Sequence, residues 1–172
     1  MSSKNRLTKS LPQDRYFTPQ YVIDLIINRI DFSKVNSFIE PCAGDYRVLN
    51  SVPDNVAKFY CELDIGKDYL TTELPSVDLI ITNPPFSKSL EFIEKSLKEA
   101  KTVCYLQRLN WLGSKQRSEF WNTNPPDKIF VLSKRPQFMK EVGLKSGSDS
   151  TEYAWFIWDK SEIVNGKNIE IL

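Results

Sequence analysis

Val77-Asp78-Leu79-Ile80-Ile81-Thr82-Asn83-Pro84-Pro85-Phe86 decides the reading of this chain. An apolar run that stops at a polar residue and two prolines describes a buried parallel strand ending at the carboxyl edge of a sheet, where open α/β folds place their sites. Each proline fixes its φ and carries no N–H, so the turn presents carbonyl acceptors without competing donors. Asn83 adds a side-chain amide and Phe86 a flat stacking face, a cradle suited to a planar amine. A second copy of the tripeptide, Asn124-Pro125-Pro126, follows polar residues and leads into Lys128-Ile129-Phe130-Val131-Leu132. It reads as a turn before a strand.

Working outward, Val35–Ile39 reads as a first strand ending at Glu40-Pro41-Cys42-Ala43-Gly44-Asp45, with room only for a short helix at Arg47–Val52. Ala57–Cys61 is a second strand, ending in the acids Glu62 and Asp64. Upstream, Thr18 suits an N-cap and Pro19 the first helical position, and Val22, Ile23, Ile26, Ile27 and Ile30 recur at helical spacing. After Phe86, Ser87 or Ser89 suits the cap of a helix reaching about Ala100, with Leu90, Ile93 and Leu97 on one face. Thr102–Leu106 follows as a strand, Gln107–Asp127 is irregular or weakly helical, and Ile129–Leu132 and Glu152–Trp158 close the sheet as an antiparallel edge. Residues 1–13 read as a mobile polar arm, and Lys145-Ser146-Gly147-Ser148 as a loop. The alternation of strands and helices predicts one α/β domain over 1–172, a mostly parallel sheet with helices on both faces.

Composition narrows the chemistry. With 172 residues, 41% hydrophobic and 26% charged, the chain suits a single soluble domain. It has no apolar window long enough to span a membrane and no secretory core after Met1, so a cytoplasmic location is expected, in a bacterium or a phage-infected host. Histidine is absent, which excludes Ser-His and Cys-His catalysis and any histidine-bound metal. Cys42, Cys61 and Cys104 are too widely spaced for a zinc site and read as buried thiols, so no metal is expected. Residues 1–85 hold 9 Lys/Arg against 11 Asp/Glu, and residues 86–172 hold 14 against 11. In 105–145 the bases are interleaved with Tyr105, Trp111, Phe120, Trp121, Phe130 and Phe138, a pattern shared by nucleic-acid-binding surfaces and by a basic face over ordinary core aromatics.

Taken in order, Tyr16-Phe17-Thr18-Pro19, Glu40-Pro41-Cys42-Ala43-Gly44, Glu62, Asp68 and Asn83-Pro84-Pro85-Phe86 resemble the S-adenosylmethionine-dependent amino methyltransferases of the N6-adenine type. The likeness covers residues 15–105 motif by motif. It implies a Rossmann-like class I methyltransferase fold with S-adenosylmethionine held by Phe17, Thr18, Glu40, Pro41, Cys42, Ala43, Gly44, Glu62, Asp68 and Asn83. Within that set Glu40 faces the ligand's ammonium or an ordered water, Glu62 the ribose hydroxyls and Asp68 the adenine amine. The resemblance further implies that the Asn83 side-chain oxygen and the Pro84 carbonyl accept the two N–H bonds of a flipped adenine, stacked on Phe86.

Double-stranded DNA is the expected partner. Phosphate-anchor candidates are Arg108, Lys115, Arg117 and Arg135, and Phe138 is a candidate second wall for the base. RNA adenine, cytosine N4 and a protein glutamine amide share the same planar-amine logic and stay open, as does a silent binding module. Gln107–Asp127 leaves room only for a recognition insertion, so target reading is short or comes from a protein partner, which suits a phage or restriction-modification setting. The chain departs from the family pattern at Tyr46, where a second loop glycine is usual.

Overall fold

Strand side chains in this protein alternate between two apolar faces, and helices cover both. The computed structural model describes residues 16–138 and 151–172. The arm expected at 1–13 and the loop at Lys145-Ser146-Gly147-Ser148 lie outside the described residues. In chain order these hold α1 (Gln20–Ile27), β1 (Ser37–Glu40), α2 (Arg47–Ser51), β2 (Ala57–Tyr60), β3 (Val77–Thr82) and α3 (Ser89–Glu99). Then come β4 (Ala100–Arg108), α4 (Ser118–Thr123), β5 (Lys128–Val131), β6 (Tyr153–Asp159) and β7 (Ile169–Ile171).

The seven strands form one sheet in the order β2-β1-β3-β4-β6-β5-β7. All run parallel except β6, which pairs antiparallel with β4 and β5. The expected closing pair is therefore β5 and β6, and it lies toward one edge. β6 itself is inserted between β4 and β5, and β7 is a further strand outside them.

Period two sorts the core. Phe38, Leu79, Ile81, Cys104, Leu106, Trp155 and Ile157 pack with Val22, Ile23 and Ile26 of α1 and Val48 of α2. Their neighbours Ile39, Ile80, Val103, Tyr105, Phe156 and Trp158 pack with Phe92 and Ile93 of α3 and Phe120 of α4. Each such fully buried side chain is worth about 1.5–3 kcal/mol relative to exposure, so strands apolar on both faces settle at the centre of the sheet. Trp155 adds a directional tie, donating its indole N–H to the Val22 carbonyl at 3.1 Å.

Three local expectations change. Pro19, not Thr18, is the N-cap of α1; its carbonyl accepts from the Val22 and Ile23 amides, and Thr18 is buried. Neither Ser87 nor Ser89 caps α3, which starts at Ser89 behind Lys88. The stretch expected to be irregular or weakly helical from Gln107 begins later, since β4 runs on to Arg108, and it takes the helical form: two helical turns and α4 follow, with Trp111 and Phe120 buried. Of the six aromatics interleaved with bases, Tyr105, Trp111, Phe120, Phe130 and Phe138 are buried, so they are core rather than a stacking surface. The second Asn-Pro-Pro sits at the opposite end of the sheet from Asn83, where the Asn124 carbonyl accepts the Trp158 indole N–H at 3.0 Å and the chain turns into β5.

One feature of the topology positions the site. The chain steps from β1 outward to β2, then returns across β1 to β3 on its other side. That switch of direction opens a crevice at the carboxyl ends of β1 and β3, where Glu40 and Asn83 stand.

Candidate active site

A small cleft opens at this switch point, lined among others by Phe17, Thr18, Glu40, Gly44, Arg47 and Asn83. Cys42 and Ala43 complete its loop wall, and Pro41 is buried beneath it. Glu40, ending β1, is 1% exposed. Its Oε1 accepts the Cys42 amide at 3.0 Å, whereas Oε2 is buried with no hydrogen-bond partner. Burial pushes this carboxyl up to about 8, and the charge of Glu62 adds to the effect against the pull of the Cys42 amide. An orphaned carboxyl oxygen in a closed cleft is a receptor for a cationic or N–H-bearing group.

Gly44 has φ +53°, and a Cβ there would lie 3.3 Å from two ring carbons of Phe17. Glycine is thus needed both for the turn and for the close approach of the segment before α1. The Gly44 amide donates to Glu62 Oε2 at 2.7 Å, and Glu62 Oε1 accepts the Asp64 amide at 3.3 Å. Glu62 therefore ties the loop to the end of β2. Asp68, farther along on the β2 side, is half-buried and starts a turn by accepting the Leu70 amide at 2.9 Å. Cys42 lines the cleft, but burial and then the charges of Glu40 and Glu62 drive its thiol well above its usual range, so it is no thiolate nucleophile.

Tyr46 takes φ 66° and ψ 11°, the left-handed conformation that a glycine adopts without cost. Its ring points to Tyr60, edge-on at 5.6 Å. The unexpected side chain is thereby accommodated on β2 and not among the residues lining the cleft.

At the end of β3, the Asn83 Nδ2 donates to the Tyr16 carbonyl at 3.1 Å. A carbonyl only accepts, so this bond fixes which way the amide faces. Oδ1 is left buried and without a partner. Pro84 is buried, Pro85 and Phe86 are half-buried, and the Phe86 ring lies 5.9 Å from Tyr16 and 6.0 Å from Tyr153. The Arg108 guanidinium, at the end of β4, stacks over Phe86 at 4.6 Å and donates from Nε to the Tyr153 hydroxyl at 3.4 Å.

The other expected substrate contacts are more dispersed. Phe138 is 3% exposed and packs on Tyr153 at 5.1 Å and Tyr16 at 5.9 Å, one layer behind Phe86. Arg117 folds back to the Trp111 carbonyl at 2.9 Å, Arg135 pairs with Glu152, and Lys115 is exposed. Sequence reasoning passed over Arg47, which pairs with Asp45 at 2.8 Å, and Tyr153. Tyr153 heads a run of strand aromatics in which nothing local separates the buried ring that packs on Phe86 from the other core rings.

Among the described residues, no cluster of His, Cys, Asp and Glu is fit for a metal, and no helix is long and apolar enough to cross a membrane. No protein-family profile and no curated protein matches the sequence. Solved structures do. The methyltransferase subunit of a type I restriction-modification system from Streptococcus thermophilus aligns over 91% of this chain and 50% of its own, at 16% identity and TM-score 0.62. The M protein of the type I restriction enzyme EcoKI aligns over 90% and 46%, at 15% identity and TM-score 0.62. The 23S rRNA methyltransferase ErmE aligns over 88% and 73%, at 12% identity and TM-score 0.63. This is the class I methyltransferase fold. The chain spans about half the length of the two restriction-modification subunits. Within a methyltransferase fold, the cleft between β1 and β3 falls at the switch point where such open sheets bind ligands.

Proposed function

We propose that the protein transfers a methyl group from S-adenosylmethionine to the N6 amine of adenine in DNA, on a base flipped out of the duplex. The observation that carries this reading is the Asn83 amide: tied through Nδ2 to Tyr16, it keeps a buried, unpaired acceptor beside a proline-locked turn and the Phe86 ring. An exocyclic amine conjugated to a purine is a poor nucleophile because its lone pair is spread into the ring. Acceptance of its two N–H bonds by Asn83 Oδ1 and the Pro84 carbonyl orients the nitrogen and returns electron density to it. Two acceptors and no donor suit an amine and disfavour a carbonyl.

The residues present fit the cofactor. Glu40 Oε2 is an orphaned acceptor for its ammonium and the Gly44 turn permits close backbone approach, while Glu62, whose oxygens accept the Gly44 and Asp64 amides, and Asp68 stand outside the cleft lining on the β2 side, toward which its sugar and base would extend. When bound there, the cofactor supplies an electrophilic methyl on sulfur. Phe86, half-buried beside Tyr16 and Tyr153, gives the flipped base its stacking face.

The test is a methyl-labelled cofactor incubated with unmethylated DNA, with RNA and with a protein extract, followed by nucleoside and amino-acid analysis. The expected label is N6-methyldeoxyadenosine. Label confined to RNA, to cytosine or to glutamine would assign the same cradle to another acceptor.

A further inference from the structure

Arg108 does not face solvent as a phosphate anchor would. It is half-buried, places its guanidinium carbon over the Phe86 ring at 4.6 Å from the centroid, and is steered there by its Nε bond to the Tyr153 hydroxyl at 3.4 Å. A base stacking on Phe86 needs that face. Phe138, the residue one would otherwise cast as the opposite wall, is only 3% exposed behind Tyr16 and Tyr153. A guanidinium is planar, delocalised and weakly hydrated, and it stacks on nucleobases as readily as on aromatic rings.

We infer that Arg108 is the second wall of the base pocket: a nucleobase inserts between Phe86 and the Arg108 guanidinium. Two stacking distances of about 3.5 Å put the walls about 7 Å apart, so Arg108 retreats by about 2–3 Å, within the swing of a long side chain. In the base-free protein the guanidinium occupies the base's place and keeps Phe86 covered. The role demands a plane, and charge alone does not supply it. This inference rests on the base-binding reading of the site, and its test separates the two.

The experiment titrates the protein into a pool of single-stranded oligodeoxynucleotides, each carrying one 2-aminopurine, and reads fluorescence quenching by stacking. Wild type quenches. Arg108→Ala and Arg108→Lys weaken the quenching association about tenfold, whereas Arg108→Trp restores it, because a planar face again covers the base. Tyr153→Phe, which removes the steering bond, gives a smaller loss. Wild-type quenching by Arg108→Lys would make the residue a charge anchor and overturn the wall, as would tighter binding by Arg108→Ala or no quenching by wild type. The expected pattern in a protein that transfers no methyl group would instead uphold the wall and overturn the proposed activity.

Discussion

Tyr46 shows how a residue that breaks a pattern is tolerated. Its left-handed backbone carries a cost that glycine would not, and its ring recovers part of that by packing edge-on against Tyr60. Tyr46→Ala keeps the backbone cost and loses the ring, whereas Tyr46→Gly loses both. Urea unfolding should therefore find the glycine variant about 1 kcal/mol more stable than the alanine one, and equal stabilities would contradict the strain. Glu40 makes a pH prediction. Its folded value of about 8 is raised, so its contribution to stability is full at acid pH and is lost as pH rises from the ordinary carboxylate range through about 8. Wild type should lose at least about 1 kcal/mol relative to Glu40→Gln between pH 5 and 8, and a constant difference would count against a protonated Glu40. The strand-end positions of Asn83 and Glu40 were readable in the sequence because each closes an apolar run, and Gly44 stands out only as the glycine of the loop that follows β1. The orientation of the Asn83 amide was not, since it depends on a carbonyl 67 residues away in the chain.

Elements reveal a different kind of information. Each strand from β1 to β4 announces itself by apolar runs and punctuation, and so do the helices between them. Caps at α1 and α3 were misread because Thr18 and Ser89 are drawn into the interior, where burial outweighs their capping preference. β7 was invisible: Ile169–Ile171 is too short for periodicity and becomes a strand only by pairing with β5. The insertion of β6 between β4 and β5 likewise follows from pairing that no local pattern encodes. At the far end of β6, Asp159 accepts from Thr102, Lys128 and the Ile163 and Val164 amides, so one carboxylate joins β4, β5, β6 and the following turn. Burial works against its charge, but these hydrogen bonds hold its pKa below the ordinary value. Its stabilisation is thus present above the unfolded carboxyl range and lost as pH falls through the folded value. Asp159→Ala should cost about 3 kcal/mol or more in urea unfolding, because Lys128 is left without its partner in a largely buried site; a loss under about 1 kcal/mol would show that the network is dispensable.

For the whole molecule, overall charge is a weak guide to partners: the formal net value is +1, and three of the four expected phosphate anchors have contacts within the protein. Arg117 and Arg135 already bond within the protein, and Arg108 stacks on Phe86. Few phosphate contacts follow from this, so DNA affinity should fall with salt along a shallow log–log slope of about −3 or less, and a slope near −8 would mean an extensive phosphate interface. The proposed division of labour sets Asn83 on the amine and the other side of the cleft on the methyl donor. It is tested most directly by measuring, on one preparation of Asn83→Ala, calorimetric binding of S-adenosylmethionine and transfer of labelled methyl to DNA adenine. Cofactor affinity within about threefold of wild type, with transfer reduced about a hundredfold or more, is the expected result. Transfer at the wild-type rate by a variant that lacks this acceptor would contradict it.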